Sequence, residues 1–121
     1  MANILIVDDE EQVRSMLRMM LEREGHTITE AENGGVALRA LRSAKFDLMI
    51  LDLIMPEVEG LETLMTLRQT LSDLKVIAIS GGGNSVGMDF LPAAAKLGAA
   101  RTLKKPFDRD DLLNVLRELL P

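Results

Sequence analysis

Cysteine, tryptophan and tyrosine are absent from the 121-residue chain, and there is one histidine and three phenylalanines. Without cysteine there is no disulfide, no iron–sulfur cluster, no thiolate zinc site and no sulfur nucleophile. A single histidine, His26, excludes a multi-histidine metal centre and weakens any serine–histidine hydrolase reading. Nothing around His26 suggests a phosphohistidine, and its place after a helix stop predicts an exposed side chain. An aromatic content of 2% demands an aliphatic core and offers no platform on which nucleic acid bases could stack. The net charge of −5 argues against a broad basic surface for nucleic acid. No apolar run approaches the ~18 residues of a membrane helix. The opening Met1-Ala2-Asn3 lacks the basic segment and long apolar core of a secretion signal, so the expected compartment is the cytoplasm.

What is present suits one folded unit. Hydrophobic residues make up 47% of the chain and charged residues 27%, a globular balance and not a disordered one. The length falls among single domains of roughly 100–150 residues. No linker or low-complexity tract interrupts it, so a single domain over residues 1–121 is expected.

Two hydrophobic periods alternate along the chain. Ile4-Leu5-Ile6-Val7 is a β-branched run that stops at Asp8. Val13, Met16, Leu17, Met20 and Leu21 then repeat at helical spacing, with Arg14, Ser15, Arg18 and Glu22 facing away, until Gly25 ends the helix. Met16, Met19 and Met20 read as packing residues. Thr27-Ile28-Thr29 is a weaker strand, and Asn33-Gly34-Gly35 opens a helix carrying Leu38 and Leu41. Leu48-Met49-Ile50-Leu51 is apolar throughout, as a strand covered on both faces is, and stops at Asp52. Leu61, Leu64 and Met65 mark a third helix, and Val76-Ile77-Ala78-Ile79 a fourth strand that ends at Ser80. A glycine-rich loop leads into a fourth helix through Leu91, Ala94, Ala95 and Leu97, closed by Gly98. Arg101-Thr102-Leu103-Lys104 fits a short fifth strand. Asp108 caps a last helix with Leu112, Val115, Leu116 and Leu119 inward. Leu113 and Leu120 lie beside that stripe, either widening the core face or forming a docking patch. Phe107 reads as core.

Five strand–helix units in succession predict an α/β fold: a doubly wound, flavodoxin-like, five-stranded parallel sheet in the order 2-1-3-4-5, with helices on both faces. In such sheets ligands sit outside the carboxyl ends of the strands. Asp8, Asp52 and Ser80 each follow an apolar strand and Lys105 follows the fifth, so residues remote in sequence converge on one mouth. Asp8, Asp9 and Asp52 brought together repel, and a hard divalent ion such as Mg²⁺ relieves that repulsion. Lys105 adds a compact cation and Ser80 a donor. Metal, ammonium and hydroxyl are the parts that stabilise a phosphoryl group in transfer, with Asp52 the candidate nucleophile. Taken singly, the Asp8-Asp9 pair could be a solvated turn, and Glu10-Glu11 could simply complement the positive end of the first helix. The combination carries the argument.

Val7-Asp8-Asp9-Glu10, then Leu51-Asp52-Leu53-Ile54-Met55-Pro56 with Gly60, then Ser80, then Lys105-Pro106-Phe107 make the whole chain resemble a receiver domain of the two-component response regulators. The resemblance implies that Asp52 accepts phosphate from the phosphohistidine of a histidine kinase or phosphotransfer protein. It implies that Asp9, Asp52 and the backbone carbonyl of Ile54 bind Mg²⁺, with Asp8 helping through water. It implies that Ser80 contacts the phosphoryl group, that Lys105 pairs with its oxygens, that the Lys105-Pro106 bond is cis, and that Gly60 serves the tight loop after the third strand. Phosphorylation would shift an equilibrium between two arrangements, read by a downstream protein or a second copy at the face of the fourth helix, fifth strand and last helix.

Two features depart from the family pattern. Thr102 stands where the family usually carries an aromatic residue that swings inward on activation. The segment from Ser80 to Lys105, with Gly81-Gly82-Gly83-Asn84, is also a few residues longer than usual, either a loop that orders around the phosphoryl group or a harmless extension. Ile54 sets an apolar side chain near the route of attacking water, which predicts a long-lived phosphoryl group. The chain is expected to be a phosphoacceptor with slow self-dephosphorylation, and not a turnover enzyme. Competing readings are a flavodoxin-like nucleotide binder, an aspartyl phosphohydrolase, and a degenerate receiver that binds partners without phosphorylation. The first is opposed by Asp8-Asp9-Glu10-Glu11, which repels phosphate, and the second by Glu10, a poor match for the acid it needs. The complete acidic set opposes the third. No DNA-binding output segment is expected within these residues.

Overall fold

The apolar runs become the inner strands of a sheet. The computed structural model describes residues 2–53, 59–70, 73–81, 95–96, 98–105 and 107–120. Strands β1 (Asn3–Val7), β2 (Thr27–Ala31), β3 (Leu48–Asp52), β4 (Lys75–Gly81) and β5 (Arg101–Lys105) form one parallel sheet in the order β2-β1-β3-β4-β5, as the alternating pattern predicts. Every residue of β3 is buried, the signature of a strand covered on both faces.

Four helices cover the sheet among the described residues: α1 (Glu11–Glu22), α2 (Gly34–Ser43), α3 (Glu59–Thr70) and α4 (Arg109–Leu119), the last being the helix that the sequence places after Asp108. Strand alternation divides the core in two. On one face Ile4, Ile6, Leu48, Ile50, Ile77 and Ile79 pack with Leu17 and Leu21 of α1 and Leu112, Leu113 and Leu116 of α4. On the other, Leu5, Val7, Met49, Leu51, Val76 and Ala78 pack with Ala37 of α2 and Leu64 and Leu67 of α3. Each such buried Val, Leu, Ile or Met side chain contributes about 1.5–3 kcal/mol relative to exposure.

Local chemistry fixes the element ends. The Asn33 side chain accepts a bond from Val36 N at 2.9 Å, capping α2. Asp108 caps α4 in a reciprocal box with Asp111, at 2.8 Å and 3.2 Å. Gly25 takes φ 92° after α1, a left-handed conformation that suits glycine. Leu113 is buried and Leu120 packs against the same core, so both widen the apolar face of α4, and Phe107 also packs there.

Several expectations are corrected. Met16, Met19 and Met65 are about half exposed, at 49%, 57% and 51%, because they sit at the margin of the apolar stripe and not in it. Arg14 does not face away: it reaches β2 and the end of β1. Arg18 likewise reaches β2. Gly60 lies in the first turn of α3 and not in a loop before it. The expectations for Ile54, Met55, Pro56, Pro106, the glycine-rich loop beyond Gly81, and Leu91, Ala94 and Leu97 fall outside the described residues.

His26 is half-buried, not exposed, and its Nδ1 accepts a bond from the main-chain N of Ala2 at 3.2 Å. Burial, helped by the positive amino terminus and opposed by Glu24, holds its pKa below the ordinary value of about 6.5. The unfolded chain therefore binds the proton more readily than the folded one. The contribution of His26 to stability is complete above about pH 6.5 and is lost as pH falls below it toward the folded pKa. Urea midpoints for the wild type and His26→Gln should converge between about pH 7.5 and pH 5.5. A gap that widens on acidification would contradict this.

Candidate functional site

The parallel register brings separated residues to one edge. Val7 of β1 pairs with Leu51 of β3, so Asp8 and Asp52 each stand one residue beyond that pair. Both are buried, at 2% and 3% exposure, which water-loving carboxylates accept only in company. Further along the same edge Asp52 pairs with Ile79, Ser80 with Lys104, and Gly81 with Lys105. The backbone thus places Asp8, Asp52, Ser80 and Lys105 at the carboxyl ends of β1, β3, β4 and β5. Thr102 is half-buried inside β5, paired with Ala78.

The segment after β1 is held from three sides. Asp8 N donates to the Ala31 carbonyl at 3.1 Å, extending the pairing with β2 by one bond. The Asp8 Oδ1 atom accepts from Glu10 N at 2.9 Å, and the Asp8 carbonyl accepts from Arg14 Nη1 at 2.7 Å. With the segment so fixed, one carboxylate oxygen from each of Asp8, Asp9 and Glu10 lies within 4.8 Å of the others. Asp9 and Glu10 are exposed while Asp8 is buried, so this cluster opens to solvent on one side.

Mg²⁺ takes hard oxygen donors, binding through one or two carboxylates and keeping several waters, and a buried Asp8 beside an exposed Asp9, open to solvent, offers that. The donor set fits that ion. Glu10 joins Asp8 and Asp9, and it makes no side-chain cap to α1. The residue the sequence reading misses is Arg14. A basic residue six positions after Asp8, followed by an acid at Glu30 on β2, is the only sequence trace of its role.

The family profile of the response regulator receiver domain matches residues 4–117. The chain is 31% identical to sporulation initiation phosphotransferase F of Bacillus subtilis over 98% of its length and 93% of that protein. It is 32% identical to the response regulator receiver protein CpdR of Brucella abortus, covering 99% of this chain and 98% of CpdR. Other curated relatives are longer, and the chain spans between 12% and 57% of their length. Among solved structures, TrrA of Thermotoga maritima, crystallised with Mg²⁺ and BeF, superposes with a TM-score of 0.84 at 35% identity, covering 99% of this chain and 100% of TrrA. TrrA is also known in complex with the histidine kinase ThkA, in a structure matching with a TM-score of 0.83 and 35% identity over the full length of both chains. With the strand order, the acidic edge and these likenesses in agreement, the chain belongs to the response regulator receiver domain family of two-component phosphorelay signalling.

Proposed function

We propose that Asp52 is the phosphoacceptor, taking its phosphoryl group from the phosphohistidine of a histidine kinase or phosphotransfer protein. The observation that carries this reading is the pair of buried acids, Asp8 and Asp52, each one residue beyond the Val7–Leu51 pair of β1 and β3, with Asp9 and Glu10 clustered about Asp8. A carboxylate oxygen of Asp52 attacks phosphorus, the phosphorus–nitrogen bond breaks, and the imidazole nitrogen keeps the electron pair. Asp8, Asp9 and Asp52, with the main-chain carbonyl of Ile54, would hold Mg²⁺, which when bound supplies positive charge to the phosphoryl oxygens. Ser80 contributes a hydroxyl and Lys105 an ammonium from the neighbouring strand ends. TrrA, with its bound Mg²⁺ and its kinase complex, supports both the ion and the partner.

The added charge of about −1.5 to −2 then shifts an equilibrium between two arrangements. A downstream protein, or a second copy of the chain, reads it at the face of β5, α4 and the segment before β5. Thr102, half-buried, cannot fill the volume of an aromatic ring, so the shift runs through other contacts there. The chain acts in the cytoplasm as a phosphoacceptor with slow self-dephosphorylation, and not as a turnover enzyme.

Incubation with acetyl phosphate and Mg²⁺ should add the mass of one phosphoryl group to the intact chain, and chelation of Mg²⁺ should prevent it. No adduct under either condition, or an adduct indifferent to Mg²⁺, would overturn the assignment.

A further inference from the structure

The guanidinium of Arg14 ties three elements together. Its Nη1 donates to the Asp8 carbonyl at 2.7 Å, and its Nε donates to Glu30 Oε1 on β2 at 3.2 Å. Its own main-chain N closes the first turn of α1 on the Glu10 carbonyl at 3.1 Å, as any helical residue there would, so the specific hold on the acidic segment is the side chain's bond to Asp8. The side chain is only 13% exposed, unusual for an arginine on a surface helix. Glu30 is shared: its second oxygen accepts from Arg18 Nη1 at 2.6 Å, and Arg18 Nη2 donates to the Ile28 carbonyl at 3.2 Å. Glu30 thereby fixes the Arg14 fork and offsets its charge, which would otherwise stand unbalanced beside a cation site.

We infer that Arg14, anchored by Glu30, is a positioning residue for the Mg²⁺ site: by holding the Asp8 main chain it sets the placement of the Asp8 and Asp9 carboxylates. The inference rests on the Mg²⁺ reading proposed above. A forked, planar donor held by a carboxylate has little freedom left to lose, so the carbonyl it grips is fixed before any ion arrives. Residues that orient metal ligands without touching the metal commonly govern affinity. The charge of Arg14 alone would repel a cation, so a weaker site on its removal is the signature of positioning and opposes the electrostatic expectation.

The test is a Mg²⁺ titration of the full chain followed by backbone amide NMR, with acetyl phosphate labelling in parallel. Arg14→Ala should weaken Mg²⁺ binding about 10-fold, and saturating Mg²⁺ should restore the labelling rate close to that of the wild type. Arg14→Lys keeps the cation but not the fork, and should fall between the two. It serves as the readout if the alanine variant does not fold. Arg101→Ala removes an exposed ion pair with Glu118 on another edge of the sheet and should leave the titration unchanged. Wild-type Mg²⁺ affinity in a folded Arg14 variant would overturn the inference alone. A wild-type chain whose amides do not respond to Mg²⁺ would overturn the site reading and this inference with it.

Discussion

Asp52→Asn is expected to abolish the Mg²⁺-dependent phosphoryl adduct while leaving the fold intact. Asparagine matches aspartate in size and keeps an oxygen that accepts hydrogen bonds, so the buried end of β3 can retain its packing. What it loses is the nucleophile, because an amide oxygen does not form a stable acyl phosphate. Asp52→Glu separates chemistry from placement. It keeps the carboxylate but moves it by a methylene, and misplacement of about 1 Å can cost 10²-fold in rate. Labelling should therefore fall by at least about 100-fold in Asp52→Glu and vanish in Asp52→Asn. Intact mass spectrometry reads both, and far-ultraviolet circular dichroism checks the fold. Hydroxylamine, which cleaves acyl phosphates but spares phosphoserine, should remove the wild-type adduct. A hydroxylamine-resistant adduct, or an undiminished one in Asp52→Asn, would move the acceptor elsewhere.

Leu51→Ala is the largest stability change expected, about 2–5 kcal/mol. The side chain is fully buried on the α2 and α3 face of the central strand, among Leu5, Val7, Leu64 and Leu67. Both neighbouring strands pair with β3, so the backbone cannot collapse readily into the space left behind. Domains of this kind hold about 5–15 kcal/mol in all, so a single truncation removes a large share. Met19→Ala is the contrast. At 57% exposure its loss should change stability by less than about 0.5 kcal/mol. Urea denaturation followed by circular dichroism measures both, since the chain has no tryptophan or tyrosine to report by fluorescence. Equal effects of the two substitutions would show that the division into buried core and stripe margin is wrong.

The strands were the most legible part of the sequence, for a physical reason. Apolar runs such as Ile4–Val7 and Val76–Ile79 have no periodic polar face, and only a strand covered on both sides accommodates that over so few residues. The cap at Asp108 was legible because its chemistry is local: the acid and its reciprocal partner Asp111 are three residues apart. The edge that gathers Asp8 and Asp52 followed from strand order alone. Side-chain reach was not legible. Arg14 and Arg18 sit on the polar side of α1 by periodicity, yet long guanidinium stems span the distance to Glu30. Met16 and Met65 failed in the opposite sense, because spacing marks a stripe without marking its margin. His26 turned inward through its bond with Ala2 N, a contact between segments that no local pattern encodes.

The strand order also decides how the sheet meets its neighbours in a crowded solution. Among the described residues β2 and β5 are the outer strands, each with one row of backbone groups that no other strand covers. Unguarded margins of this kind template polymerisation into fibrils. Here the exposed Arg101 and Lys104 stud β5, while β2 carries Glu30 under the arms of Arg14 and Arg18. Like charges would meet if two copies aligned at β5, so accretion strand upon strand is disfavoured, and copies that associate there would do so through side chains instead of a continued ladder.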